Sequence, residues 1–118
     1  ELSIRFRNKD LFEGVKVLVD TGALYTIIDP AVTDYLGYSI ADAFTISKLS
    51  GAAGKSEGYS IIVPKIKCFG YEIENFTIAC HDIESKTGIR GLLGMNFFKE
   101  FRMDIDFKAG IIHSIQEV

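Results

Sequence analysis

The sequence predicts a single, mostly β domain, and two features of the chain favour that class. Apolar residues recur at every second position, which is typical of half-buried strands. Leu2, Ile4 and Phe6 alternate with polar residues at the start, and residues 103–107 repeat the pattern near the end. Segments with helical signals are short and only two. The length of 118 residues fits one domain over residues 1–118, with one ordinary core.

Turn-forming residues separate the predicted strands. The segments 68–71 and 108–110 each contain a glycine and predict tight hairpins, since glycine accepts positive φ angles. The segment 49–58 contains three glycines and few large side chains, so we interpret it as a long hairpin tip or a surface loop. Pro64 is expected at a sheet edge or a bulge, because proline cannot donate a hydrogen bond to a central ladder.

Two short helices are predicted. Asp29 supplies a capping carboxylate before Pro30 at the first helical position, and this helix is expected to end at Gly37. The second helix is expected to run from Asn96 to Phe101, with Asn96 as its N-cap. The remainder of the chain reads as strands and turns.

Charge and hydropathy exclude several classes of protein. Thirteen basic and sixteen acidic side chains give a net charge of −3, so no nucleic-acid partner is expected. No stretch approaches the ~20 apolar residues of a membrane-spanning helix, so no membrane span is expected within this fragment. Because the chain begins at Glu1 rather than Met, we expect a soluble piece cut from a larger or membrane-anchored precursor.

Metal and phosphate sites are not expected. Cys68, Cys80, His81 and His113 are the soft metal ligands of the chain, and their spacing fits no zinc motif. Buried, inert thiols and a surface histidine are expected instead. Residues 50–56 superficially resemble a phosphate-binding loop, but its first glycine is missing and a strand, not a helix, is predicted to follow.

One segment joins an apolar strand to groups that can do chemistry. Residues 17–19 (Val-Leu-Val) run directly into Asp20, Thr21, Gly22 and Ala23. Burial raises the pKa of a carboxyl group by disfavouring its ionised form, and a glycine lets backbone or ligand approach closely. An acid at this position suits proton transfer. The alternative interpretation is a turn that simply closes a strand.

A second motif lies near the C-terminus, where Leu92, Leu93 and Gly94 precede Asn96 and the second predicted helix. The Asp-Thr-Gly-Ala segment and this hydrophobic-hydrophobic-Gly segment resemble, in order and spacing, the retropepsin-like aspartic proteases. These are the single-domain relatives of pepsin and include the retroviral enzymes. The glycine-rich segment falls where that family has its flap, so the resemblance spans nearly the whole chain.

The resemblance implies a closed acid-protease β-barrel with one or two short helices and a flap over about residues 45–60. It also implies an aspartic endopeptidase that needs no metal and no cofactor. Pepsin-like enzymes with both halves in one chain carry two Asp-Thr-Gly triplets, whereas this chain carries one. A homodimer is therefore expected, in which two Asp20 carboxylates meet at a two-fold axis, share one proton and activate water.

The same resemblance assigns roles to further residues. The loop that supports Asp20 is expected to consist of Thr21, Gly22 and Ala23. The structural motif is expected to consist of Leu92, Leu93, Gly94 and Asn96. The substrate is expected to be a polypeptide in extended conformation, held between cleft and flap. The residues expected to contact it are Leu24, Tyr25, Ile28, Gly51, Ala52, Ala53 and Gly54.

Two positions depart from the family pattern. Leu24 stands where retroviral members usually carry a polar or acidic residue, and Met95 stands where they often carry arginine. A contact between Leu24 and Met95 is expected to replace that ion pair, and apolar or aromatic substrate side chains are favoured. The alternative function is a catalytically weak dimerisation or peptide-binding module on the same fold. The intact Asp-Thr-Gly favours the protease.

Overall fold

The computed structural model describes residues 1–51, 54–83 and 87–115, and it describes side chains over residues 1–46, 58–83 and 87–115. These residues form ten strands, two α-helices and one short 3₁₀ helix. In chain order, the elements are β1 (Leu2–Arg5), β2 (Phe12–Val15), β3 (Val17–Val19), β4 (Thr26–Ile28), α1 (Pro30–Tyr35), the 3₁₀ helix (Ile40–Asp42), β5 (Thr45–Gly51), β6 (Gly54–Cys68), β7 (Tyr71–Cys80), β8 (Gly91–Leu93), α2 (Met95–Phe98), β9 (Met103–Asp106) and β10 (Ile111–Ser114).

Eight of these strands form one curled sheet. Seven of them are hydrogen-bonded in the order β2-β1-β6-β7-β4-β8-β3, and β5 pairs with the first half of β6. The two ends of that path are β2 and β3, which Lys16 alone separates in the chain. The sheet therefore curls into a half-barrel. The prediction of a mostly β domain with two short helices is confirmed.

The core lies along the inner face of this sheet. Ile61 and Val63 of β6 and Ile78 of β7 are fully buried, as the period-two pattern predicts. Helix α2 adds Phe97, which is also fully buried, to the same cluster. Burial of such side chains is the main source of stability in a domain of this size.

The alternation of buried and exposed residues is interrupted at facing positions of β6 and β7. Buried positions on β6 pass from Val63 to Ile66 instead of continuing at every second residue. The register pairs Val63 with Phe76 and Lys65 with Glu74, but no ladder pair joins Pro64 to Asn75 in the described part of the chain. Asn75 has a φ angle of 52°, which explains the irregular spacing of apolar residues on β7. Pro64 thus lies at a break in the ladder, where its missing N–H costs no bond.

Both predicted tight hairpins are present. Between β6 and β7, Phe69 and Gly70 have φ angles of 53° and 81°, and Cys68 pairs with Tyr71. Positive φ at both central residues matches the right-handed twist of the flanking strands. Between β9 and β10, Gly110 has a φ angle of 69°.

Helix α1 also follows its sequence signals. The Asp29 carboxylate accepts a hydrogen bond from the Ala31 N–H at 2.9 Å, Pro30 occupies the first turn, and Gly37 leaves the helix with a φ angle of 96°. These are the cap and the stop that the sequence predicts. Among helices in the described ranges, none has the length and apolar character that a bilayer span requires.

Strands β9 and β10 form a separate two-stranded sheet, which we call the C-terminal hairpin (residues 103–114). Its apolar residues alternate as predicted, and Met103 at its start packs against the core. The exposed apolar side chains of the hairpin are Ile105, Phe107 and Ile111. The Tyr71 ring stacks on Phe101 at 3.8 Å between centroids, and its hydroxyl donates to the Ile115 carbonyl at 3.1 Å. These contacts attach the base of the hairpin to the main sheet.

The cysteines and one histidine occupy the positions expected of them. Cys68 and Cys80 are free and buried, and burial raises the pKa of both thiols, so they stay protonated at neutral pH. His113 is exposed on β10. His81 is not a surface residue, because its side chain is only 3% exposed.

The neighbouring residues Ile61 and Ile62 give a direct test of which face of β6 is buried. Ile61 is 0% exposed and Ile62 is 51% exposed. We expect Ile61→Ala to lower the free energy of unfolding by about 2–5 kcal/mol, because it leaves a cavity in the core. The matched change Ile62→Ala is expected to cost less than about 1 kcal/mol. Urea denaturation of both variants measures the difference, and equal losses would contradict the assigned faces.

Candidate active site

Asp20 lies at the end of β3, where the strand opens into a turn. Its backbone N–H donates to the Leu93 carbonyl at 2.9 Å, so β8 holds the backbone of the acid. Its Oδ1 atom accepts a hydrogen bond from the Gly22 N–H at 3.0 Å, and its carbonyl accepts one from the Ala23 N–H at 3.2 Å. The side chain is half-buried. The bond from Gly22 therefore orients the carboxylate relative to the turn.

The loop after Asp20 is clamped against the start of α2. The Met95 N–H donates to the Ala23 carbonyl at 2.8 Å, and the Asn96 N–H donates to the Leu24 carbonyl at 3.1 Å. Gly94 allows this approach, because a side chain there would collide with the Tyr25 backbone carbonyl. The two sequence motifs are therefore in direct contact.

Asn96 links three segments through its side chain. Its Oδ1 atom accepts hydrogen bonds from the Thr26 backbone N–H at 2.9 Å and from the Thr26 hydroxyl at 2.8 Å. Its Nδ2 atom donates to the Thr77 carbonyl of β7 at 2.9 Å. The Thr26 hydroxyl in turn accepts from the Gly94 N–H at 3.1 Å. We call these bonds the Thr26–Asn96 network.

The prediction that Asn96 caps the second helix is wrong. The N-cap of α2 is Gly94, without a side-chain capping bond, and the helix runs from Met95 to Phe98. The Asn96 amide is used instead for the longer-range bonds to Thr26 and Thr77. A capping residue and a buried linking residue look alike in sequence, since both are short polar side chains beside an apolar helix.

One substrate-contact prediction is also wrong. Ile28 is fully buried in the core, so its side chain does not line a cleft. The neighbouring Ile27 points to the other face of β4, as period-two geometry requires, and it lines a cavity of about 330 Å³. We call this cavity the side-chain pocket. Its lining residues are Tyr25, Ile27, Phe44, Thr45, Ser60, Thr77, Ala79 and His81.

Of the six other predicted contacts, four lie in the described part of the chain and two lie outside it. Tyr25 is exposed and lines the pocket, and Leu24 is exposed on the loop beside it. Strands β5 and β6 form a long antiparallel hairpin that closes with the pair Gly51–Gly54. The predicted contacts at positions 52 and 53, Ala52 and Ala53, lie outside the described residues.

The expected contact between Leu24 and Met95 remains a prediction. The backbone bonds of the loop bring the two residues next to each other along the clamp. The Leu24 side chain is nevertheless 75% exposed, so it is not packed as a buried replacement for an ion pair.

The chemical group that the site offers is the Asp20 carboxylate. In the part of the chain that the structure describes, no group of three or more His, Cys, Asp or Glu side chains is placed to hold a metal ion. A single carboxylate can accept one proton or donate one. A reaction that needs both at once requires a second acid.

Comparison with protein families identifies the chain. The model of the aspartyl protease family matches residues 6–97, which include both motifs and the clamp between them. The chain therefore belongs to the aspartyl protease family. No curated protein sequence matches the chain significantly.

Solved structures have the same fold. A retropepsin-like aspartic protease from Rickettsia conorii matches with a TM-score of 0.64 and 24% sequence identity, over 88% of this chain and 82% of that one. The retroviral protease-like domain of Ddi1 from Leishmania major matches with a TM-score of 0.60 and 18% identity, over 96% of this chain and 83% of that one. The retropepsin-like fold expected from the two motifs is confirmed.

Sequence reasoning missed three residues of the site region. Thr26 is fully buried at the centre of the network, and its only sequence signal is a hydroxyl in an apolar strand. Ile27 was one position from the residue predicted to contact substrate. His81 follows β7 and lines the side-chain pocket, although its spacing matches no motif.

Removal of the Asn96 amide tests the network. We expect Asn96→Ala to lower the free energy of unfolding by about 1–3 kcal/mol, because it leaves the buried Thr26 hydroxyl and N–H without their acceptor. Asn8→Ala, at an exposed turn position, is the control and is expected to have little effect. Thermal or urea denaturation measures both, and an Asn96→Ala variant as stable as the control contradicts this role.

Proposed function

We propose that this chain is an aspartic endopeptidase that works as a homodimer, with Asp20 of each copy as the catalytic residue. The observation that carries the proposal is the Asp20 carboxylate held by the Gly22 N–H, on a loop that β8 and α2 clamp in place. A turn that merely closed a strand would need no such clamp. Membership of the aspartyl protease family supports the same role.

Two Asp20 carboxylates at a two-fold axis supply both halves of an acid–base pair. Like charges at short range cannot both ionise, so the pair holds one proton. The ionised carboxylate takes a proton from a water molecule, whose oxygen attacks the carbonyl carbon of the scissile peptide. The protonated carboxylate donates its proton to the carbonyl oxygen. The C–N bond of the resulting intermediate then breaks as the nitrogen takes the proton that was removed from water, and a hydroxyl of the intermediate returns a proton to the other carboxylate. A carboxylic acid and an amine are released, without a covalent enzyme intermediate.

The C-terminal hairpin supports the dimer. Its exposed apolar side chains adjoin a cavity of about 300 Å³ whose lining also includes Val19 and Thr21, on either side of Asp20. Phe107 is 89% exposed, which is unusual for a phenylalanine in a single domain. A second copy seated on this surface would bury these side chains and would bring its own Asp20 loop to the axis, since a two-fold interface joins the same patch on both copies.

The substrate in this proposal is an extended polypeptide. The hairpin of β5 and β6 acts as the flap, which closes over the peptide and pairs with its backbone. The side-chain pocket then receives one substrate side chain. Ile27, Phe44 and Ala79 give it a mostly apolar wall, so an apolar or aromatic substrate side chain is favoured at neutral pH.

Asp20→Asn tests catalysis directly. An amide can neither take the proton of water nor share one, so we expect cleavage to fall by about 10²–10⁴-fold or more. The assay is digestion of a peptide library, with and without a pepstatin-type transition-state mimic, read by mass spectrometry. Asp10→Asn, whose side chain is 92% exposed, is the control and is expected to retain activity. Undiminished cleavage by Asp20→Asn contradicts the assignment, and wild-type binding without cleavage supports the peptide-binding module instead.

Phe107→Glu tests the dimer surface. The exposed side chain makes little contribution to the fold of one chain, whereas an unpaired carboxylate in an apolar interface is costly. We expect the dimer dissociation constant to rise at least about tenfold and activity to fall with it. Sedimentation velocity measures the association. Leu11→Glu changes an exposed leucine outside the hairpin and is expected to leave association unchanged. An unaltered dissociation constant for Phe107→Glu rules out this surface.

A further inference from the structure

His81 is a buried imidazole at the junction of the side-chain pocket and the flap hairpin. Its backbone N–H donates to the Ile28 carbonyl at 3.2 Å, which fixes its position just after β7. The Nδ1–Cε1 edge of its ring lies against Gly58 of β6, where an added Cβ would collide with the ring and with the Cys80 carbonyl. Gly58 thus makes room for the imidazole, and His81 is also one of the residues that line the pocket.

The residues that line the pocket with His81 determine which chemical groups of a ligand it can accept. The lining residues include the hydroxyls of Thr45, Ser60 and Thr77, which can donate hydrogen bonds, and include no carboxylate. His81 is the one lining residue whose ordinary pKa falls between pH 5 and 8. A change in its charge therefore changes the charge of the pocket itself.

Burial and the neighbouring Asp82 set the charge of His81. Burial lowers the pKa of His81 below its usual value, and the adjacent Asp82 carboxylate partly offsets this. Asp29, before α1, is buried and accepts hydrogen bonds from the Ala31 and Ile83 N–H groups. Tyr25 beside β4 lines the same pocket, and the Cys80 thiol of β7 stays protonated because burial raises its pKa. The described residues of β5 and β6 that line the pocket are uncharged.

We propose that His81 is a specificity-determining residue: the pocket accepts an apolar side chain when the imidazole is neutral and a carboxylate-bearing side chain when it is protonated. The inference rests on the proposed function in one respect, namely that the ligand is a peptide. A substrate carboxylate in the pocket pairs with the imidazolium and favours its charged form. Binding of an acidic peptide therefore takes up a proton, whereas binding of its neutral counterpart does not.

Paired peptide mimics measure this linkage without cleavage. Statine-containing hexapeptides carry glutamine or glutamate at one position, scanned along the peptide, so that each pair differs only in charge. We expect one position at which the preference for glutamate over glutamine rises about tenfold between about pH 7.5 and about pH 5, where glutamate is still ionised. Isothermal titration calorimetry gives the dissociation constants. The Asp20 pair acts equally on both members of each pair, so its titration cancels in the ratio.

Two histidine variants separate His81 from other titrating groups. His81→Gln is expected to make the glutamate-to-glutamine ratio independent of pH, whereas His113→Gln, at an exposed position of β10, is expected to keep the change. The chain contains only two histidines, so their imidazole NMR signals are readily assigned by these variants. The pKa of His81 is expected to rise when the glutamate mimic binds and to stay unchanged with the glutamine mimic.

Each of the remaining outcomes supports or contradicts the proposed role of His81. A ratio that changes equally in the wild type and in His81→Gln overturns the inference, as does a failure of every mimic to bind. Gly58→Ala provides a second approach, since it displaces the imidazole and is expected to weaken the pH response. Cleavage by the same protein is measured separately, so binding with the expected linkage but without cleavage contradicts only the proposed enzymatic function.

Discussion

The hydrogen bonds between Thr26 and Asn96 are the constraint on which the catalytic loop depends. They join two segments that lie 70 residues apart in the chain, and they do so with Thr26 fully buried and Asn96 half-buried. A polar group that is buried without its hydrogen bond lowers the stability of the fold, so these bonds hold the two segments in one arrangement. The position of the loop after Asp20 follows from that arrangement, because the Met95 and Asn96 N–H groups donate to the carbonyls of Ala23 and Leu24 in that loop.

Local patterns in the sequence located several of the elements but not their partners. The period-two runs located β1 and β9, and glycine chemistry located the turns at Gly70 and Gly110. The same local signals misled at Asn96, which looks like a helix cap but bonds to Thr26. Which face of β4 is buried depends on the strands beside it, and for that reason Ile28 was assigned to the wrong side. A period-two pattern separates the two faces of a strand, but it does not determine which face is buried.

The site could be predicted in part because chemistry and spacing coincide there. Asp20 and Gly94 belong to two motifs that resemble those of the family in order and spacing, and the structure brings the two motifs into contact. His81 carried no such signal, since a lone histidine after a strand is usually a packed side chain. Its position depends on Gly58, which is distant in sequence and leaves space for the ring.

Pro64 divides β6 into two parts that pair with different strands along one edge. Along one edge, the strand is held by β5 as far as Ser60 and by β1 from Ile66 onward, and Pro64 stands in the interval with no rung to Asn75 on the other edge. The two halves of β6 are therefore held by different neighbours on that edge, β5 before the interval and β1 after it, and of the described strands β7 alone pairs with both halves.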